Sequence, residues 1–364
     1  MKNLINNIFY FENDESFVYV RKFSKNMNNI MKKNRDDVFD MARSLSILSI
    51  VCGWHLLDYL DNNVLSEGVP VLFSYLTYLS LATFSFMSSF FLKKYKIKTW
   101  SDAMSFYKRR FVRFWCLFFF ALSSLYMASS AVGSPWCPSF ANYLLSLVGL
   151  SAFFKPLPAT LWYMVIMCFF YIITPPILAV QSRRMQIIVC VMASSIMVVF
   201  YRYGLVDERL SFYLPFYLLG LLLPDCIVSN IKRFDLAFFF LCLLFIIGLF
   251  NMGIKEYERL SLSVIGLPCI LSLSSLLLKC KVPIKAASLI SYSSMCMYFF
   301  HRHIFLFFVF LWNRGSGVAL NEALVPIWLG VFVMIPSVIL FSYAVQRIYD
   351  MLINRFAQIS NIKY

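Results

Sequence analysis

Apolar residues in this chain gather in blocks of about twenty, each closed by a short polar or charged stretch. Blocks of that length match the ~20 residues an α-helix needs to cross a bilayer. Ten can be drawn, at residues 42–60, 70–92, 111–132, 160–180, 186–203, 211–229, 235–253, 261–278, 286–310 and 322–345. Residues 1–39 are polar and mixed in charge, with a basic end in KNMNNIMKKNRDD. They lack the apolar core and small-residue cleavage site of a signal peptide and read as a tail, with Asp40 as N-cap of the first span. The longest connection, 133–159, contains ANYLLSLVGLSAFF. That stretch is short for a span, and a crossing there would invert every later loop, so it reads as re-entrant or interfacial. The expected fold is an all-α polytopic membrane protein: a tail at 1–39, a ten-helix membrane domain at 40–346 and a second tail at 347–364.

Composition removes the soluble alternatives. Of 364 residues 60% are hydrophobic and 14% charged, against about 25% charged in a soluble domain. The net charge of +15 could suggest a nucleic-acid partner, but its placement assigns it to topology. Of the 33 lysines and arginines, 26 fall in alternate connections, 6 in the others, and Arg302 lies inside a helix. By the positive-inside rule the rich side is cytoplasmic, and ten spans then put both termini there. The same basicity could hold an anionic cofactor. Of the ten cysteines, seven lie within apolar blocks, Cys226 and Cys280 lie near block ends, and only Cys137 sits in an outer loop. With no CxxC spacing they read as small apolar fillers, neither bridges nor metal ligands.

Chemistry concentrates in three places. An ionisable residue inside a membrane segment is costly and marks a functional-site hypothesis. All three histidines qualify: His55 in ARSLSILSIVCGWHLLDYL, and His301 and His303 in SMCMYFFHRHIFLFF, where Arg302 separates them. Asp58, three residues after His55, would share its helix face and could orient the ring; alternatively it caps the outer end. His301 and His303 point to nearly opposite faces, so both cannot line one site. In FYKRRFVRF, Arg110 and Arg113 share a face at the start of the third span, where guanidinium forks suit phosphate and where positive-inside anchoring also accounts for them. LPATLWYMVIM places Trp162 at the opening of a helix as an aromatic anchor. No HExxH, Walker A or GxSxG pattern occurs, so metal proteolysis, nucleotide hydrolysis and serine hydrolysis lack support.

Taken in order, DMARSLSILSIVCGWHLLDYL, FSFMSSFFLKKY, FYKRRFVRFWCLFF, LPATLWYMVIMCFFYIITPPI, SFYLPFYLLGLLL and ISYSSMCMYFFHRHIF resemble the acyltransferase-3 family of integral membrane acyltransferases, over roughly residues 36–350. The resemblance implies transfer of an acyl group, usually acetyl from cytoplasmic acetyl-CoA, to a hydroxyl of a cell-envelope polysaccharide or its lipid-linked precursor, in a bacterial cytoplasmic membrane and without a metal. It implies that Arg43 and His55 are the family's basic residue and histidine of the first helix, with His55 as general base or acyl carrier. Arg110 and Arg113 would hold the acyl-CoA phosphates. Tyr298 and His301 match a late Tyr-x-x-His pattern, which favours His301 over His303. Apart from the resemblance, Tyr298, Arg302 and Trp162 are expected to line the site.

Two departures stand out. The family leaves ten residues between the basic residue and the histidine, whereas eleven separate Arg43 from His55. At 100° per residue the extra one turns a nearly aligned pair into one about 120° apart. A one-residue π-bulge near Cys52-Gly53 would restore alignment; otherwise Arg43 serves another purpose. Ser88-Ser89 also stands where a Ser-Gly pair is expected, so helix packing there should differ. The chain ends soon after its tenth span, without the hydrolase-like domain some relatives carry, so it is expected to finish the transfer or pass the acyl group to a partner. The competing class is a glycan or lipid exporter, which could use intramembrane His and Arg but would show internal repeats and paired broken helices; neither is found.

Overall fold

The computed structural model describes residues 37–60, 68–132, 139–154, 157–158, 160–223, 258–280, 282–316 and 325–359. The expected span 235–253 lies outside the described residues, as does most of the tail 1–39. Helix α1 covers residues 37–57 and α2 is Gly68–Leu92. Next come α3 (Trp100–Val132), α4 (Phe140–Leu147), α5 (Trp162–Ala179), α6 (Arg183–Arg202), α7 (Glu208–Leu222) and α8 (Glu258–Lys279). Then follow α9 (Ile284–Ser316) and α10, which covers residues 327–359. Six of these, α2, α3, α5, α6, α9 and α10, contain stretches long and apolar enough to cross a membrane. The described residues form no named strand; a single parallel bridge joins Leu60 and Val325.

Burial follows position in the bundle. Helix α5 is central, with Tyr163 to Cys168 and Phe170 all buried. Helix α6 is peripheral: only Cys190 is buried, while Met185, Ile188, Val191, Met192 and Val199 stay exposed. An apolar helix exposed on most faces is what lipid contact requires, since lipid tails replace the protein neighbours a soluble helix would need. The most extensive helix pair is α2 with α7. Gly220 of α7 faces Ser89, and a Cβ there would collide with Ser89 Oγ and with the Phe86 carbonyl. Small residues let two backbones approach in this way. The departure at Ser88-Ser89 is thus matched by a glycine supplied from the opposite helix.

Two differences from the expected boundaries affect the site. Helix α3 starts at Trp100, not at residue 111, because Thr99 and Asp102 form a capping box. Asp102 Oδ2 accepts from the backbone N–H of Thr99 at 2.9 Å, and the Asp102 N–H donates to Thr99 Oγ1 at 3.2 Å. The T-W-S-D string carried that signal. Helix α10 likewise runs through residue 346 to 359, so the expected tail is mostly helical. Its Tyr349 hydroxyl donates to the Val112 carbonyl at 3.0 Å, which ties it to α3. Helix α4 has 8 residues, about 12 Å at 1.5 Å each, and cannot cross. It runs inward beside α3: Tyr143 Oη lies 2.9 Å from Ser123 Oγ, and Trp115 Nε1 donates to the Leu147 carbonyl at 2.7 Å.

Candidate active site

Within α1 the segment Ser49–His55 is π-helical. A π-turn accommodates one more residue than the α-helix around it and is found mostly as a single insertion, often at functional sites. It spans Cys52 and Gly53, where the eleven-residue spacing called for it. Gly53 is needed here because the Phe73 ring of α2 occupies the space a Cβ would fill. The consequence is one continuous cavity-facing series: Arg43 and Ile47 line one cavity, and Ile50, Trp54 and His55 line a second.

The first cavity, of about 380 Å³, lies at the basic end of the bundle and is bordered by Arg43, Arg110 and Arg113. Arg43 Nη1 is 3.6 Å from Asp40 Oδ1 and donates to Ser291 Oγ at 3.1 Å. Arg113, with a side chain 62% exposed, lies 3.7 Å from Asp350. Arg110 has no carboxylate within ion-pair distance among the described residues. Its Nη2 donates to Tyr95 Oη at 3.2 Å, and its guanidinium carbon stands 5.4 Å from the Tyr95 ring centroid. Arg110 Nε is buried without a hydrogen-bond partner, an orphan that an anionic oxygen would satisfy. Deeper walls come from Leu81, Phe84, Met164 and Met167, with the Tyr163 and Tyr171 side chains. A polyanionic head with a long, weakly polar arm fits such a lining.

The second cavity, of about 170 Å³, is bordered by His55, Trp54, Tyr78, Trp162, Tyr213 and Arg209, with Ser74 and Thr77. Arg209 stacks its guanidinium carbon 4.6 Å from the Trp162 ring centroid, a cation–π contact. His301 of α9 faces His55 with ring centroids 4.8 Å apart. His301 is fully buried and borders neither cavity. Its Nδ1 sits 2.9 Å from the Met297 carbonyl, which can only accept, so the neutral ring carries its proton there and leaves a lone pair on Nε2. That Nε2 and His55 Nδ1 are both buried without hydrogen-bond partners. The two cavities share Leu81 and Tyr298 in their walls. The Tyr298 hydroxyl donates to the carbonyl of Thr160, a non-glycine residue with φ of 63°.

Arg43, Arg110, Arg113 and Tyr298 therefore meet at the first cavity, and His55, Trp162 and Tyr298 at the second. His301 is brought behind His55. Asp58 follows the end of the helix at residue 57 and borders neither cavity, and its Oδ2 accepts from Arg302 Nη2 at 3.3 Å. That pair supplies Arg302, whose side chain is only 17% exposed, with a countercharge. His303 points away from the pair, with Nε2 2.9 Å from Ser124 Oγ of α3. Leu81, Tyr163, Arg209 and Asp350 border the cavities and were not singled out from sequence. Arg209 and Asp350 carried a signal, as charges beside apolar blocks; Leu81 and Tyr163 carried none.

Two cavities, one bordered by arginines and the other by aromatic side chains with His55, thus meet at one residue pair within a bundle of membrane-length helices. The chain belongs to the acyltransferase-3 family, whose model, described as an acyltransferase domain, matches residues 36–347. It is a membrane acyltransferase. No curated protein and no solved structure matches it.

Proposed function

We propose that this protein O-acetylates a hydroxyl of a cell-envelope polysaccharide or its lipid-linked precursor, with cytoplasmic acetyl-CoA as donor substrate. The observation that carries the reading is the meeting of the two cavities at Leu81 and Tyr298, arginines around one and His55 in the other. Arg110 and Arg113, with Arg43, hold the CoA phosphates at the cytoplasmic mouth. The aromatic walls of the second cavity receive the acceptor sugar. His55 takes the proton of the acceptor hydroxyl as its oxygen attacks the thioester carbonyl. The carbon–sulfur bond then breaks, and the departing thiolate takes up a proton to leave as free CoA. His301 steadies the charge and orientation of the His55 ring from behind. Ten spans and cytoplasmic termini, in a bacterial cytoplasmic membrane, complete the reading; the 26-to-6 split of basic residues between alternate connections supports it.

The test is thiol release from acetyl-CoA by purified full-length protein in detergent, with wild type compared with His55→Ala. Release by wild type and its loss in the variant are expected. Full activity in His55→Ala would remove His55 from the mechanism, and no release by wild type would reject the donor.

A further inference from the structure

The two cavities have different chemistry but a common wall. An acyl group bound with its carrier in the arginine-lined cavity can reach His55 only where that wall lies, because His55 borders the second cavity and not the first. Leu81 and Tyr298 are the two residues that border both. We propose that Leu81 and Tyr298 frame the passage for the acyl group, and that the Leu81 side chain sets the longest acyl chain the enzyme transfers. This inference rests on the proposed donor and deepens it by naming what limits the donor class.

Three features make the passage a fixed aperture. Tyr298 is 4% exposed, and its hydroxyl is tied to the Thr160 carbonyl. Its ring lies 5.9 Å from that of Tyr163 and 6.1 Å from that of His301. The backbone of Leu81 is pinned as well. Its carbonyl accepts from Ser85 Oγ at 3.0 Å and from the Tyr163 hydroxyl at 3.3 Å, and those two hydroxyls lie 3.0 Å apart. With the Leu81 backbone and the Tyr298 ring held, the isobutyl group of Leu81, itself 2% exposed, is the adjustable edge. Interiors packed near crystal density register even one methylene. An acetyl group adds a single methyl beyond the carbonyl, whereas each further CH₂ must lodge against Leu81 or in the small second cavity. Pockets discriminate one methylene by roughly 10- to 200-fold.

The experiment compares initial rates of thiol release from acetyl-, propionyl- and butyryl-CoA, with water as acceptor, by wild type, Leu81→Ala and Leu81→Phe. The readout is the butyryl-to-acetyl and propionyl-to-acetyl ratios within each preparation, which do not depend on how much of a variant folds. Wild type is expected to prefer acetyl. Leu81→Ala should raise the butyryl-to-acetyl ratio at least tenfold, and Leu81→Phe should lower the propionyl-to-acetyl ratio. Ratios within twofold of wild type in both variants would overturn the inference while leaving the donor reading intact. Absence of release from every acyl-CoA by wild type would overturn both.

Discussion

His55 and His301 face each other from α1 and α9 with ring centroids 4.8 Å apart, yet only His55 borders a cavity. The asymmetry gives two chemically identical side chains different surroundings. A group that takes a proton from a substrate must border the space that holds it, and His55 borders a cavity; His301, buried behind it, could act only through His55. The His301 proton is committed to the Met297 carbonyl, so its remaining lone pair is aimed into the interior beside its neighbour.

His55→Ala should therefore lower kcat for thiol release by roughly 10²- to 10⁴-fold, the span of a lost general base. His301→Ala should also lower kcat, by a smaller factor, with KM for acetyl-CoA unchanged within about twofold. The check is steady-state kinetics on the purified variants. A His301→Ala effect on KM alone would move that residue out of the reaction step.

The π-turn gives a sharper test, because chain length and helix phase can be separated. Deleting Cys52 removes one residue from inside Ser49–His55 and lets that segment relax to an α-helix, with Arg43 and His55 still on one face. Inserting an alanine after Ile47 instead adds a second extra residue, which the one π-turn does not absorb, and rotates Arg43 by about 100° against His55. The Cys52 deletion should keep thiol release within about tenfold of wild type; the alanine insertion should abolish it. Equal loss in both would show that the phase of α1 is not what matters.

The three arginines differ in what surrounds them, and their substitutions should differ accordingly. Arg113 is mostly exposed and already paired with Asp350, so part of its charge is screened and committed. Arg110 has a buried, unsatisfied Nε and no carboxylate partner among the described residues. Losing a charge-assisted hydrogen bond costs about 1.5–3 kcal/mol, so Arg110→Ala should raise KM for acetyl-CoA roughly tenfold to a hundredfold. Arg113→Ala should raise it less. Arg110→Lys should recover little, since a point charge cannot reproduce the planar fork. Titrations with CoA at constant ionic strength give the comparison.

Much of the bundle was legible because membrane length is a one-dimensional signal. The apolar blocks at 70–92, 160–180 and 186–203 coincide closely with α2, α5 and α6. The extra residue between Arg43 and His55 was also readable, because spacing along one helix converts directly into angle. Contacts between distant segments were not. Asp58 looked like a partner for His55 because both lie in one stretch, whereas its cation, Arg302, is 244 residues away. The partition formed by Leu81 and Tyr298 was hidden for the same reason. An apolar residue in an apolar block carries no mark of which neighbour it will face.

The Asp58–Arg302 pair can be tested apart from catalysis. Its side chains are 45% and 17% exposed, so the pair is half screened, and removing one partner should cost about 1 kcal/mol rather than the 3–5 kcal/mol of a deeply buried pair. Asp58→Ala should lower the apparent Tm in detergent. The double variant Asp58→Ala with Arg302→Met should recover most of that loss. Thiol release per folded molecule should stay within about threefold of wild type in Asp58→Ala, because the carboxylate borders neither cavity and is bonded to Arg302. A hundredfold loss of kcat with unchanged Tm would return Asp58 to the reaction.

Helices α2 and α7 approach too closely at Gly220 to admit a larger side chain. Gly220 leaves no room for a Cβ against Ser89 Oγ, the Phe86 carbonyl and, at 3.0 Å, the Phe90 backbone nitrogen. Gly220→Ala must therefore push the helices apart, and overpacking of this kind costs about 1–3 kcal/mol. Replacing Ser89 with glycine in the same chain removes the side-chain clash but neither backbone clash. Ser89→Gly should thus restore part, and not all, of the Tm lost in Gly220→Ala, while Ser88→Gly, which alters the cavity wall instead, should restore none. Equal rescue by both serine variants would mean that Ser89 is not the limiting contact. Full rescue by Ser89→Gly alone would mean that the α2 backbone can yield, and that the pair is held by side-chain fit rather than by backbone proximity.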